Sequence, residues 1–222
     1  MKTTLTILPV LTVCLLALGL LVLPASEASA QTWDEAIDGG GDAGDLLGST
    51  QVTTGAGALT QITGVLVGPE DVDLYRISIT SASTFSATST GGFSHPPHRL
   101  YLFDALGNGI SGYKDANNTG ALLSDAFVVA PGVYHLALSG FSHPMTAGNL
   151  DLWDANGAAD VELAPDGAGA AGLFDDWSPS IVPASLDSYT ITLTGAEYAP
   201  EPATMTLLAL GGLAVLRRRR RR

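Results

Sequence analysis

Three short segments that each begin with tyrosine decide the fold of this chain: Tyr75-Arg76-Ile77-Ser78-Ile79, Tyr134-His135-Leu136-Ala137-Leu138 and Tyr189-Thr190-Ile191-Thr192-Leu193. In each segment a large apolar residue alternates with a smaller or polar one, which is the period of a β-strand with one buried face. Residues that favour turns come before each segment, as Pro131-Gly132 does before the second. The three segments therefore predict three strands of an antiparallel sheet.

Four more stretches are strand candidates, at residues 61–67, 84–90, 100–103 and 126–129. Clusters of Gly, Asp, Asn and Pro separate them, and no convincing amphipathic helix lies between residues 31 and 200. About 170 residues suffice for one domain with its own core. We expect residues 31–198 to form one all-β domain, an antiparallel β-sandwich or jelly roll.

The C-terminus has three parts in a fixed order: Ala199-Pro200-Glu201-Pro202, an apolar stretch at residues 203–216, and six arginines at residues 217–222. Each proline removes a backbone donor and fixes φ, so the Pro-Glu-Pro triplet is expected to be extended and accessible. The apolar stretch can enter a bilayer, while six arginines would stay on the cytoplasmic side. The folded part would then lie outside the cell.

Residues 199–222 resemble the PEP-CTERM protein-sorting signal of bacteria that make extracellular polysaccharide. The resemblance implies recognition by an exosortase and a cut near Pro200, Glu201 and Pro202. Fourteen residues of helix would span ~21 Å, less than the ~30 Å hydrocarbon core, which suits a temporary membrane segment. We expect an inner-membrane intermediate that is processed and delivered to the cell surface or extracellular matrix; an ordinary short membrane anchor is the alternative.

The N-terminus has the pattern of a signal peptide over residues 1–30. Lys2 gives a charged start, an apolar run covers residues 5–23, and Ala28 and Ala30 place small side chains at a signal peptidase site. The mature chain would begin at Gln31 and lose Cys14, the chain's one cysteine. An exported domain without disulfides must obtain its stability from packing or from bound ions.

The charge of the mature part is strongly negative. Residues 31–200 carry twenty Asp and Glu against Arg76, Arg99 and Lys114, a net charge of −17. Such a surface repels nucleic acid and anionic lipid and offers carboxylates to cations. Nucleic acid is therefore excluded as a partner.

Several segments together resemble the bacterial pre-peptidase C-terminal family, over roughly residues 39–140. That resemblance implies a jelly-roll β-sandwich, found on secreted proteases and on sorted surface proteins, and a non-catalytic accessory role. The segments are Asp42-Ala43-Gly44-Asp45-Leu46, Gly64-Val65-Leu66, Asp71-Val72-Asp73-Leu74-Tyr75-Arg76-Ile77, Leu100-Tyr101-Leu102-Phe103-Asp104 with Gly107-Asn108-Gly109, and Pro131-Gly132-Val133-Tyr134-His135-Leu136.

Calcium is the cofactor that the acidic loops favour. Asp104, Asn108, Gly109 and Asp115 fall at positions 1, 5, 6 and 12 of a calcium-loop template, but Leu106 at position 3 offers no oxygen, so an EF-hand is not expected. A looser site built from strand-end loops stays open, as does the alternative that these residues end strands through Asx turns. The candidate calcium ligands are Asp71, Asp73, Asp104, Asn108 and Asp115.

Aromatic and imidazole side chains suggest two further sites. Trp153 and Trp177 have acidic or amide neighbours and could stack on sugar rings, whereas the alternative for both, as for Trp33, is burial at the ends of the sandwich. Three imidazoles would suit zinc or copper if their loops met, and the alternative is that two similar Gly-Phe-Ser-His-Pro turns solve one packing problem. These histidines are His95, His98 and His143.

The sequence therefore predicts an exported, non-catalytic surface or matrix protein that is sorted by an exosortase and associated with extracellular polysaccharide. A carbohydrate-binding module assisted by calcium is the alternative. An uncharacterised secreted hydrolase is third, since no Gly-x-Ser-x-Gly nucleophile elbow is present.

Overall fold

A computed structural model of the chain describes residues 31–68, 70–91, 98–140, 145–179 and 186–200. Ala28 and Ala30 of the predicted signal peptide lie outside these ranges, as do Glu201, Pro202 and the apolar stretch at 203–216. Within the described ranges no helix is long and apolar enough to cross a membrane.

The described residues form short strands and two 3₁₀ turns, Ala82–Thr84 and Asp125–Phe127. The strands are β1 (Gln31–Asp34), β2 (Gln51–Val52), β3 (Leu59–Val67), β4 (Val72–Ile79), β5 (Ser86–Gly91), β6 (His98–Asp104), β7 (Gly109–Asp115), β8 (Leu122–Leu123), β9 (Gly132–Ser139), β10 (Met145–Ala147), β11 (Leu150–Asp151), β12 (Glu162–Leu163), β13 (Asp176–Trp177), β14 (Leu186–Thr194) and β15 (Ala196–Tyr198).

Two sheets pack as a sandwich, which confirms the predicted all-β fold. The smaller has the order β1-β3-β14-β5-β8, and the larger has the order β12-β7-β6-β9-β4-β15, with β2 also paired to β4. The three tyrosine segments lie within β4, β9 and β14. Strands β4 and β9 pair along their whole length, antiparallel, from Val72 opposite Ser139 to Ile79 opposite Gly132.

The core lies between the sheets and follows the alternation seen in the sequence. On β14, Tyr189, Ile191 and Leu193 point into the core while Thr192 is exposed. The same alternation on β4 buries Tyr75, Ile77 and Ile79, which belong to the same cluster. Each fully buried side chain of this size contributes ~1.5–3 kcal/mol, so the period-two pattern fixes which face of each strand turns inward.

A second apolar cluster covers the outer face of the larger sheet. Tyr101 and Phe103 of β6 point outward and pack against Trp153 and Phe174, with ring centroids of Tyr101 and Trp153 5.0 Å apart. The segment from β10 to β13, whose sheet has the order β11-β10-β13, forms this cover. Because both faces of β6 and β9 are buried, their sequences are more apolar than a half-buried strand requires.

One strand prediction is wrong. Residues 126–129 were expected to form a strand, but Asp125–Phe127 is a 3₁₀ turn and Val129 is 92 % exposed. The Ser124 hydroxyl oxygen accepts a hydrogen bond from the Ala126 N–H at 3.2 Å, which satisfies a backbone donor at the start of the turn. A local side-chain cap thus outweighs the β-propensity of two valines.

The sandwich also contains two parallel pairs that the antiparallel prediction did not include. Strand β1 joins β3 at the edge of the smaller sheet, and β2 joins β4 in the larger sheet. Residues 35–50, which we call the crossing segment, therefore pass from one sheet to the other. This crossing brings acidic side chains of the chain's beginning to the entrance of the core.

Candidate functional site

Three carboxylates meet where the crossing segment passes between the sheets. Glu35, Asp42 and Asp73 each offer one oxygen, and these oxygens lie within 4.8 Å of one another. Glu35 is 4 % exposed and Asp73 is 0 % exposed, whereas Asp42 is on the surface. We call these three residues the carboxylate cluster.

Asp73 is the deepest member of the cluster. It follows Val72 at the start of β4, and the strand alternation turns its side chain inward, on the same side as Tyr75 and Ile77. Its Oδ2 accepts a hydrogen bond from the Tyr189 hydroxyl at 2.6 Å. Its Oδ1 is buried and accepts no hydrogen bond from the described residues, and Glu35 is a side-chain hydrogen-bond partner of the protonated Asp73 carboxyl. A buried carboxylate oxygen without a donor is costly unless a proton or a ligand satisfies it.

Glu35 holds the crossing segment to the smaller sheet. Its Oε1 accepts a hydrogen bond from the Ala43 N–H at 2.7 Å, and its Oε2 accepts one from the Val65 N–H at 2.9 Å. Gly64, which pairs with Tyr189, leaves the space for this approach, because a Cβ there would overlap Oε2 of Glu35 and the Tyr189 hydroxyl. The carboxylate is therefore fixed by backbone donors from both sides.

Two tyrosine hydroxyls complete the inner wall of the cluster. Tyr189 donates to Asp73, so its oxygen accepts from the Tyr75 hydroxyl, 2.5 Å away. Both rings are buried, with Tyr75 0 % and Tyr189 3 % exposed. The first and third tyrosine segments of the sequence thus form a hydrogen-bonded chain that ends on a carboxylate.

The electrostatics of the cluster disfavour three ionised carboxylates without a counter-ion. Burial and, next, the charge of Glu35 raise the pKa of Asp73 to about 10, against the lowering effect of the Tyr189 hydrogen bond. Burial likewise raises the pKa of Asp71 to about 6, with contributions from Asp42 and Asp45. A metal-free cluster therefore keeps a proton on Asp73 at neutral pH.

This arrangement is suited to a hard divalent cation. Its donors are carboxylate and hydroxyl oxygens, which Ca²⁺ prefers, and no sulfur or imidazole belongs to the cluster. Asp42 is exposed to solvent, and a groove of about 470 Å³ is lined by Glu35 and Tyr189 but by neither Asp42 nor Asp73. A cation bound by the cluster would take the place of the proton on Asp73 and neutralise the repulsion.

The structure divides the five calcium candidates of the sequence among three places. Asp73 is in the cluster, and Asp71 lies next to it, where its Oδ2 accepts from the Val67 N–H. Asp104 and Asn108 sit in the β6–β7 turn, where both Asp104 oxygens accept hydrogen bonds from Asn108. Asp115 ends β7, about 20 Å of strand away from that turn.

Asp115 instead organises a loop at the end of β7. Its oxygens accept hydrogen bonds from the N–H groups of Asn117, Thr119 and Gly120. These bonds and the nearby His98 outweigh the effect of burial and lower the pKa of Asp115. Asp115 thus acts as an Asx-type terminator, the alternative that the sequence left open.

His98 lies beside Asp115 but does not form a catalytic triad with it. Its Nε2 is 2.9 Å from the Ser89 hydroxyl and 3.6 Å from Oδ2 of Asp115, so one ring nitrogen faces both partners. A triad needs the two different nitrogens of the base and an accessible nucleophile. All three residues are at most 1 % exposed, and burial lowers the pKa of His98 to about 4. His95 and His143 lie outside the described residues.

The tryptophans are engaged by the protein to different extents. Trp153 is 7 % exposed, packs against Tyr101 and donates its Nε1–H to the Leu163 carbonyl at 3.1 Å. Trp177 is half-buried, and its Nε1–H donates to the Asp45 carbonyl at 2.6 Å. Sugar stacking on these two rings stays a prediction, with Trp177 the more accessible.

The sandwich ends where the sorting sequence begins. Ala199 is 2 % exposed, and its N–H donates to the Thr53 carbonyl at 2.9 Å, whereas Pro200 is exposed. Residues 199–222 match the family model of the PEP-CTERM protein-sorting motif. No curated protein sequence matches the chain. The PEP-CTERM motif indicates an exported protein that is anchored in the membrane before an exosortase processes it.

Proposed function

We propose that this protein is a non-catalytic component of the cell surface or extracellular polysaccharide matrix, whose sandwich is locked by calcium after export. The observation that carries the proposal is the carboxylate cluster, in which Asp73 is fully buried and its Oδ1 accepts no hydrogen bond from the described residues. The PEP-CTERM motif supports the location outside the cell. The resemblance of residues 39–140 to the pre-peptidase C-terminal family supports an accessory, non-catalytic role.

Calcium fits the cluster better than other common cations. Magnesium demands near-ideal octahedral geometry and retains its waters, whereas calcium accepts irregular sets of carboxylate, carbonyl and hydroxyl oxygens. Zinc prefers nitrogen and sulfur ligands, and the cluster contains neither. Extracellular calcium modules bind with Kd values of ~10⁻⁴–10⁻³ M, so a site of this kind would fill only after export.

The role of the cation would be mechanical. Glu35 and Asp42 belong to the crossing segment, while Asp73 belongs to the larger sheet. A cation held by all three would tie the crossing segment to the core, a task that disulfides perform in many exported domains. The mature sequence contains no cysteine for such a bridge.

Limited proteolysis in calcium and in chelator tests this role. Residues 36–40 of the crossing segment are exposed, including Ile37 at 81 %, so they are the expected cleavage region when the lock is open. Calcium should slow cleavage there by at least about tenfold in the exported protein, and Asp42→Asn should abolish the protection. Equal cleavage in calcium and chelator would contradict the lock.

Matrix association needs a separate measurement. Protein exported with an intact motif should fractionate with extracellular polysaccharide and leave that fraction when the polysaccharide is enzymatically degraded. Protein that stays with the outer surface of the cells after this treatment would contradict the matrix location without affecting the calcium lock.

A further inference from the structure

A second cavity, of about 380 Å³, lies on the opposite face of β4 from Asp73. Its walls come from the end of the crossing segment, the paired strands β4 and β9, and the turn after β6. We call it the basic pocket, and the residues that carry the argument are Leu47, Thr50, Val52, Arg76, Ala105 and His135.

Two nitrogen-bearing side chains stand next to each other in the basic pocket. Arg76 of β4 pairs directly with His135 of β9, so both side chains leave the sheet on its outer face. The Thr50 hydroxyl lies within hydrogen-bond distance of the carbonyls of Leu46 and Leu47 and is 3.2 Å from Nδ1 of His135. With Nδ1 occupied by Thr50, Nε2 is the ring nitrogen that remains for a ligand.

The Arg and Lys side chains of residues 31–200 differ in how many hydrogen bonds the fold provides for them. Arg99 donates to the Tyr101 hydroxyl at 3.1 Å, and Lys114 donates to the Ala155 carbonyl at 3.2 Å. Across the described ranges, the Arg76 guanidinium forms neither a hydrogen bond nor an ion pair. It is nevertheless half-buried, and a partly desolvated guanidinium gains from a planar anionic partner.

The surroundings of His135 favour its neutral form. Burial lowers the pKa of His135, and the positive charge of Arg76 lowers it further. The one acidic group that acts in the other direction is Asp104, and its Oδ1 and Oδ2 already accept hydrogen bonds from Leu106 and Asn108. An anion beside Arg76 and His135 would oppose this lowering and favour the protonated imidazole.

We infer that the basic pocket binds the carboxylate of an acidic sugar unit. The Arg76 guanidinium can bind one carboxylate through two parallel hydrogen bonds, and its single charge balances the single charge of that group. A dianionic phosphate would keep an unbalanced charge and would be repelled by a domain of net charge −17. The volume admits one monosaccharide, with Leu47, Val52 and Ala105 as apolar wall and Thr50 as a polar contact. The sugar class rests on the proposed matrix location, whereas carboxylate binding rests on the pocket itself.

Titration of ¹⁵N-labelled exported protein with sodium glucuronate tests the inference. The expected result is saturable shifts of the Thr50, Arg76 and His135 resonances. Glucuronic acid methyl ester, which is neutral, should cause none. Acetate should bind at least about tenfold more weakly than glucuronate, because it lacks the ring that the apolar wall contacts.

Variants separate recognition from general charge effects. Arg76→Gln should weaken glucuronate binding by at least about tenfold, since a charge-assisted hydrogen bond is lost. Lys114→Gln removes one positive charge elsewhere and should change the Kd by less than about twofold. An equal loss in both variants, or no saturable shift with the native protein, would overturn the inference; equal affinity for acetate and glucuronate would overturn its sugar specificity.

The titration is run in calcium and in chelator so that the two proposals are judged separately. Glucuronate binding at Arg76 without any calcium effect on stability would contradict the calcium lock alone. A calcium effect on stability without glucuronate binding would contradict the basic pocket alone. Resonance dispersion of Arg76→Gln reports whether that variant is folded. Arg76→Lys keeps the positive charge but loses the planar guanidinium with its paired N–H donors, so it should bind glucuronate with intermediate affinity.

Discussion

Replacement of Asp73 by Asn should have opposite effects with and without calcium. In calcium the native protein should be more stable, because an amide oxygen is a weaker ligand for a divalent cation than a carboxylate. In chelator the native protein should be no more stable than the variant, or less stable. The reason is that the fold holds Asp73 in its protonated state, and the free energy needed to do so rises with pH.

The size of the calcium effect follows from mass action. With a Kd of ~10⁻⁴–10⁻³ M, about 10 mM calcium adds ~1.4–2.7 kcal/mol to the free energy of unfolding. A domain of this size shifts its Tm by ~2–4 °C per kcal/mol, so calcium should raise the Tm of the native protein by ~3–11 °C. Asp73→Asn and Asp42→Asn should remove most of this rise.

The pH dependence in chelator has a defined sign. The pKa of Asp73 is raised from 3.8 to about 10 in the folded state, so the folded state binds more protons between these values. Its contribution to stability is fully present below pH 3.8 and is lost as the pH rises towards about 10, by at most ~1.4 kcal/mol per pH unit. Asp73→Asn should flatten that slope, and calcium should flatten it for the native protein.

Thermal unfolding by circular dichroism, in calcium, magnesium and chelator at matched ionic strength, measures these effects. Glu197→Gln is the control variant, because it removes one exposed carboxylate from β15, outside the cluster. It should keep the full calcium response. Equal stabilisation by magnesium and calcium, or a normal calcium response of Asp73→Asn, would refute the reasoning.

Three further predictions concern the cluster, the β7 loop and the tail. Gly64→Ala should lower stability by ~1–3 kcal/mol and weaken the calcium response in the same melts, because its Cβ would overlap Glu35 and the Tyr189 hydroxyl; an unchanged response would show that the cluster adapts freely. Asp115→Ala should lower the free energy of unfolding by at least ~2 kcal/mol in denaturant, because three loop N–H groups lose their acceptor. The calcium response should be retained in this variant. A lost response would place calcium at that loop instead. Glu201→Ala should leave the melt unchanged but accumulate uncut protein in the inner membrane on an immunoblot, and normal processing would show that the triplet is a spacer.

The strands could be predicted where buried and exposed residues alternate regularly along the sequence. Tyr75, Tyr134 and Tyr189 each start a period-two segment, and each lies in a long strand of the sandwich. Strand β7 was not among the predicted strands, because residues 109–115 were fitted to a calcium-loop template. In the structure a Cβ at Gly112 would lie 2.6 Å from Tyr101, so the glycine makes room for an aromatic ring of the outer cluster. The glycine at position 112 is thus explained by a side chain from another strand, which the local sequence pattern of β7 cannot show.

The candidate site was half predictable for a similar reason. Asp73 lies at the start of β4 and was identified as a ligand candidate, but Glu35 and Asp42 have no local motif and reach it only through the crossing segment. Asp104 and Asp115 fitted a calcium-loop spacing, yet strand β7 separates them. Glu35 was detectable only as an acidic residue directly after a strand that contains a buried tryptophan, Trp33.

The most direct test of the calcium lock is an anomalous difference map from crystals of the exported protein grown with calcium. The account predicts a peak ~2.3–2.6 Å from carboxylate oxygens of Glu35, Asp42 and Asp73. The same map from Asp73→Asn crystals should show that peak strongly reduced. A peak only at Asp104 or Asp115, or none at the carboxylate cluster with calcium in excess, would contradict the account.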